Sequence, residues 1–238
     1  MMENICNVAE NVKRVKEEIA QACIKYGRKP EDVVLMGVSK TQPVEKIEMA
    51  YNAGITLFGE NRVQELVQKA DFFTSHNVPC HIIGQLQTNK VKYLPELTDT
   101  IQSVDSLKLA KEIEKQYTKF GKTANILLEI NIGMEESKGG IPYDQAMDLA
   151  YEISRLKNIK IKGLMCVPPI SEDEQVRKYF AQMRKLFVDI SDKKIDNIDM
   201  SILSMGMSGD YPWAIAEGST LVRVGRGIFG ERDYTKKK

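Results

Sequence analysis

The residues whose types and positions suggest chemistry are a lysine closing an apolar run, two late glycine- and serine-containing turns, and an arginine inside an apolar segment. Lys40 ends the run VVLMGVSK at 33–40. An amine at the end of a buried strand is desolvated, which favours its neutral, nucleophilic form, and such an amine condenses with aldehydes to a Schiff base. The plain alternative is a lysine whose stem lies along apolar surface with its head in solvent. The turns are Ser204-Met205-Gly206-Met207-Ser208-Gly209 and Gly225-Arg226-Gly227. Small residues let backbone N–H groups approach an anion, and the hydroxyls of Ser204 and Ser208 add donors, so the pair reads as a phosphate cradle or as two tight turns. Neither carries a P-loop pattern, which argues against ATP or GTP. Arg223, within LVRVG, needs a partner if buried: a ligand's ring nitrogen or carboxylate, or Glu129 in LLEIN. His76 and His81 have no carboxylate or cysteine at ligand spacing, so no metal site is expected.

The elements that must position these residues alternate regularly. Apolar runs at 33–38, 55–59, 80–84, 100–104, 124–131, 159–167, 200–206 and 221–225 predict eight strands. Stretches with polar faces at 44–53, 60–73, 88–95, 106–120, 143–157, 172–192 and 211–217 predict the helices between them. Strand and helix in alternation imply parallel pairing through right-handed crossovers. Eight such strands close into a (β/α)8 barrel or lie open as a doubly wound sheet, and local pattern does not decide. Ile5, Val8, Val12, Val15 and Ile19 give an additional N-terminal helix one apolar stripe, suited to covering the barrel where no helix follows the eighth strand. In a barrel the candidate residues all gather at one mouth, just past the carboxyl ends of the strands. The fourth strand, TIQSV, is the least strand-like, being short and half polar.

Composition narrows the partners. With 34 Lys plus Arg against 33 Asp plus Glu, the net charge of +1 supplies no field that would make nucleic acid or an anionic membrane the main partner. No run approaches the ~20 apolar residues of a membrane span or resembles a signal peptide, which predicts a cytoplasmic protein. Cys6, Cys23, Cys80 and Cys166 are scattered without a CxxC pair, as expected of reduced thiols, and the tail Lys236-Lys237-Lys238 reads as a solvated end. No linker composition divides the 238 residues, so one domain is expected, with a helix over 1–27 and a barrel over 33–230.

VSKTQP at 38–43, FGENRVQE at 58–65, HIIGQLQTNK at 81–90, GLMCV at 163–167, LSMGMSGDY at 203–211 and VRVGRGIFG at 222–230 resemble, in order, the motifs of the YggS/PROSC family of pyridoxal phosphate homeostasis proteins. The resemblance implies a (β/α)8 TIM barrel similar to the alanine racemase N-terminal domain. It implies pyridoxal 5'-phosphate (PLP) held as an aldimine on Lys40. The loop Ser204, Met207, Ser208 with Gly225 and Arg226 would hold the phosphate, Arg223 would face the pyridine nitrogen, and Asn61 and Met165 would line the pocket. Family members often carry Thr or Ser where this chain has Arg226, so contact there would rest more on backbone N–H and a cation than on a hydroxyl. The implied role is a PLP carrier, monomeric, with PLP-dependent client enzymes as partners. The alternative is a compact amino-acid racemase, for which the second base has no evident source: Tyr211, the one tyrosine placed near the mouth, is expected to be a rim or packing residue.

Overall fold

The structure, a computed structural model, describes residues 7–98, 100–135 and 139–231. Eight parallel strands form a closed ring: β1 (Val34–Val38), β2 (Phe58–Glu60), β3 (Cys80–Ile82), β4 (Thr100–Val104), β5 (Ala124–Asn131), β6 (Ile159–Cys166), β7 (Ile198–Ser204) and β8 (Leu221–Val224). Each pairs with its neighbour in chain order; β4 joins β5 through Ile101 and Ile126, and β8 returns to β1 through Met36 and Arg223. The closed barrel, not the open sheet, is therefore the architecture. A two-residue strand that the sequence did not suggest, Ile141–Pro142, pairs with the end of β5 beside the ring.

The helices are α1 (Val8–Lys25), α2 (Val44–Asn52), α3 (Val63–Gln68), α4 (Ala70–Ser75), α5 (Leu107–Lys119), α6 (Ala146–Ile153), α7 (Asp173–Ser191), α8 (Tyr211–Ala216) and α9 (Arg226–Phe229). The helix expected over 60–73 is broken into α3 and α4 at Lys69, whose side chain turns into the protein. The stretch 88–95 is a 3-10 helix, Thr88–Tyr93. Strand alternation explains the two-sided core. Phe58, Ile82, Ile101, Leu128, Leu164 and Val222 point outward into the shell beneath the helices, whereas Met36, Leu57 and Leu221, with Ile83 and Ile202 against them, fill the barrel.

α1 begins where Asn7 accepts a hydrogen bond from the Glu10 N–H at 3.3 Å, and it buries Val8, Val12, Val15 and Ile19. Each such side chain stabilises by roughly 1.5–3 kcal/mol. The helix stands in the outer layer against α2, α8 and α9: Asn11 Nδ2 donates to the Ile228 carbonyl and Arg14 to the Gly227 carbonyl, both at 3.0 Å, while the Tyr211 hydroxyl donates to Glu18. Ile5, Cys6 and the C-terminal lysines lie outside the described residues; Cys23, Cys80 and Cys166 are buried free thiols.

One irregularity sets the register of the mouth. On β6, Ile161 pairs with Ile126 but Gly163 with Leu127, so one extra residue bulges and brings Met165 opposite both Glu129 and Ser204. Gly163 has φ +152°, and a methyl group there would lie 1.7 Å from the Ile202 carbonyl oxygen. Gly163→Ala should therefore lose about 3 kcal/mol of stability, measured by chemical denaturation; an unchanged midpoint would mean that the bulge is not held in this form.

Candidate functional site

Lys40 lies just past β1. Met36 faces inward and Gly37 outward, toward Ile55 and Phe58, so strand alternation carries the Lys40 side chain into the mouth. The end of β8 abuts this strand end: a methyl group at Gly225 would lie 3.5 Å from Val38 Cβ. Asn61, half-buried, follows β2 and packs its backbone so closely on Gly84 that a methyl group there would lie 2.4 Å from the Asn61 carbonyl oxygen. Met165 is buried on the inner face of β6.

Below the mouth a chain of polar groups crosses the barrel. Arg223 on β8, only 4% exposed, donates through one terminal nitrogen to Ser204 Oγ at 2.7 Å and through the other to the Cys166 carbonyl at 2.8 Å. Ser204 donates in turn to Gln102 Oε1 at 2.7 Å, and Gln102 Nε2 lies 2.9 Å from His81 Nδ1. With the Gln102 carbonyl accepting from Ser204, its amide must donate to His81, which assigns the imidazole hydrogen to Nε2. Glu129, the protein partner that the sequence suggested for Arg223, shares no hydrogen bond with it among the described residues: the guanidinium donates to a hydroxyl and a backbone carbonyl, while Glu129 acts on it through charge. Ser204, expected at the phosphate, is fully buried and has its hydroxyl engaged with Gln102 and Arg223.

The two late turns are joined to each other, since the Gly227 N–H donates to Ser208 Oγ at 3.3 Å. Gly206, at φ +94°, gives its carbonyl to the Arg223 N–H at 3.0 Å. Asp210 accepts from the Met207 N–H at 2.5 Å; burial pushes its carboxyl up, with Met207 and Arg223 opposing. Among the described residues the N–H groups of Ser208 and Arg226 donate to no protein acceptor, and the Arg226 side chain is exposed beside them. α1 supports this corner from outside through Asn11, Arg14 and Glu18. Tyr211 is turned toward that support: burial and the Glu18 carboxylate hold its hydroxyl well above the usual phenol range.

Gln102 and Lys69 are the polar residues that sequence reasoning did not place. Gln102 gave its strand a half-polar look that read as weakness, and that look was itself the available signal. Glu129 is drawn to about 7, first by burial and then by the charge of Asp105, against the pull of Arg223. Taken together, neighbouring strand ends bring Lys40, two linked turns with open N–H groups and, below them, a buried guanidinium to one mouth.

The family model described as the alanine racemase N-terminal domain matches residues 5–233. The pyridoxal phosphate homeostasis protein of Aquifex aeolicus is 42% identical over 229 residues, covering 96% of this chain and 100% of that relative. The structure of PipY from Synechococcus elongatus with PLP bound aligns with a TM-score of 0.82 at 32% identity, over 94% of this chain and 100% of that one. An alanine racemase of Clostridium difficile shares the fold at 17% identity, TM-score 0.68, over 94% of this chain and 60% of the racemase.

The raised acid of Glu129 has a stability signature. Between the ordinary carboxylate range and pH 7 the folded chain binds more protons than the unfolded one, so stability falls as pH rises through that window, and the cost is complete above it. Without ligand, Glu129→Gln should exceed the unsubstituted chain in stability above pH 7 by about 1–3 kcal/mol, with no such gain near pH 4. Denaturation at the two pH values measures this, and an equal difference at both would contradict it.

Proposed function

The chain belongs to the alanine racemase N-terminal domain family and, within it, to the pyridoxal phosphate homeostasis proteins, and on that premise we propose that PLP binds at the carboxyl end of the barrel with Lys40 carrying it as a Schiff base. What supports the reading is that Lys40, just past β1 and beside the end of β8, stands at the same mouth as the buried guanidinium of β8 and the two joined turns. When bound, PLP supplies an aldehyde and a phosphate, and the Lys40 amine adds to the aldehyde carbon as one water leaves. The residues present fit such a group: an amine and an anion cradle stand on different strand ends, and Ser208 and Arg226 have N–H groups to give.

In this reading Met207, Ser208, Gly225 and Arg226 hold the phosphate, and Asn61 and Met165 line the ring. Ser204 acts through Arg223, fixing the guanidinium where it faces the pyridine nitrogen. A cation there opposes protonation of that nitrogen and weakens the ring as an electron sink. The proposed role is a single-domain, monomeric carrier in the cytoplasm, which limits free aldehyde and makes the cofactor available to PLP-dependent client enzymes, without significant catalysis of its own. Racemisation calls for acid/base groups on both faces of Cα. The Tyr211 hydroxyl is committed to Glu18 on the far side of its helix and does not serve the second face.

Purified protein loaded with PLP should absorb as a Schiff base, and borohydride should fix a phosphopyridoxyl group on the peptide containing Lys40; an adduct confined to Lys90 would contradict the assignment. Pyridoxal without its phosphate should bind far more weakly, and Ser208→Asp should weaken PLP by setting a like charge in the cradle, both read by titration; equal affinity of the two vitamers would argue against the anion site. The loaded protein incubated with L-alanine in heavy water should show little Cα exchange and no D-alanine. Turnover of roughly 1–1000 per second, abolished by Lys40→Ala, would make it an enzyme.

A further inference from the structure

A buried ion cluster lies on the outer side of the strand ends that carry Lys40, and the site described above does not use it. Lys69, 7% exposed at the break between α3 and α4, places its ammonium 2.7 Å from Glu60 Oε1 and 3.4 Å from Glu65 Oε2. The same ammonium donates to the Ser39 carbonyl at 2.9 Å, and the Ser39 hydroxyl donates to Glu60 Oε1 at 2.7 Å. On the other side of Lys40, the Thr41 N–H donates to Glu65 Oε2 at 2.6 Å. Thr41 has φ +63°, a left-handed conformation that a β-branched residue adopts only when held there.

The residues before and after Lys40 are therefore tied to one buried ammonium, Ser39 directly and Thr41 through Glu65. An ordinary strand end needs no such fastening. Burying a lysine and two carboxylates is costly unless each is paired, so the cluster persists where its geometry gives something in return. Here the return is local: the strand ends sharply at Thr41, and Lys40 keeps the inward direction set by the alternation of β1. Burial pushes the Glu60 carboxyl up, with Lys69 opposing, and Glu60 Oε2 is buried without a hydrogen-bond partner among the described residues. Glu65, nearer the surface, is the member that accepts from the N–H after Lys40.

We infer that Glu65 and Lys69 are positioning residues for Lys40, clamping the main chain on both sides so that its amine stays directed into the mouth. The inference rests on Lys40 being the cofactor lysine. It separates two parts of binding that a purely structural role would move together: condensation with the aldehyde needs the Lys40 direction, whereas holding the phosphate and ring needs the turns after β7 and β8.

The test compares PLP with pyridoxine 5'-phosphate, which carries a hydroxymethyl group in place of the aldehyde and forms no C=N bond. Glu65→Ala leaves the Lys69–Glu60 pair intact, so no charge is orphaned and the chain folds. It should lower PLP affinity and the borohydride-fixed fraction at limiting PLP by about five- to thirtyfold, while pyridoxine 5'-phosphate binds as before. Glu65→Gln keeps an oxygen for the Thr41 N–H and should retain most of the condensation. Adding Thr41→Gly to Glu65→Ala should restore much of the loss, because glycine takes the left-handed conformation without steric cost. Undiminished trapping in Glu65→Ala, or equal weakening of both ligands, would overturn the inference. Absence of a Lys40 adduct in the unsubstituted protein would instead overturn the cofactor reading, and this inference with it.

Discussion

The structure turns on the need to satisfy a guanidinium inside a closed barrel. Arg223 cannot reach solvent, and leaving even one buried charge unpaired would cost several kcal/mol. The barrel answers with groups from other strands: the Ser204 hydroxyl on β7, the Cys166 carbonyl on β6 and, through Ser204, Gln102 on β4 and His81 on β3. Only a ring that closes brings β3, β4, β6, β7 and β8 around one point. The bulge at Gly163 is part of the same solution, since it brings the end of β6 into register with Glu129 and Ser204.

Above that layer the mouth divides its work between rigid supports. α1 holds the turns after β7 and β8 from outside through Asn11, Arg14 and Glu18, and the Lys69 cluster holds the turn after β1. The side chains proposed to touch the cofactor therefore stand on backbone fixed by residues that do not. A carrier needs a site that is formed before its ligand arrives, because ordering loops at the moment of binding would subtract from affinity.

Much of this was legible in the sequence. The eight apolar runs and the stripe Val8, Val12, Val15, Ile19 gave the strands and the covering helix, because burial of one face imposes a period that composition exposes. Closure of the ring was beyond local pattern, and it came from the resemblance of ordered motifs. Gln102, His81 and Ser204 lie far apart in the chain, and their partnership exists only once the barrel has closed. Lys69 looked like one more charge on an amphipathic helix; its burial depends on Glu60, which sits on a different element. Ser204 was expected among the phosphate residues with its neighbours in the turn, and its bond with Arg223, on the next strand, was not legible locally. Local sequence shows which face a residue takes, but not which residue from another strand meets it there.

In the proposed site the cation held by this polar chain faces the ring nitrogen of a cofactor fixed at the mouth. The most direct measurement is the nitrogen NMR chemical shift of ring-labelled PLP bound to the protein, followed from mildly acidic to alkaline pH. The pyridine nitrogen should remain unprotonated throughout that range and should gain protonation when Arg223 is replaced by glutamate. A ring nitrogen already protonated at neutral pH in the unsubstituted protein would contradict it.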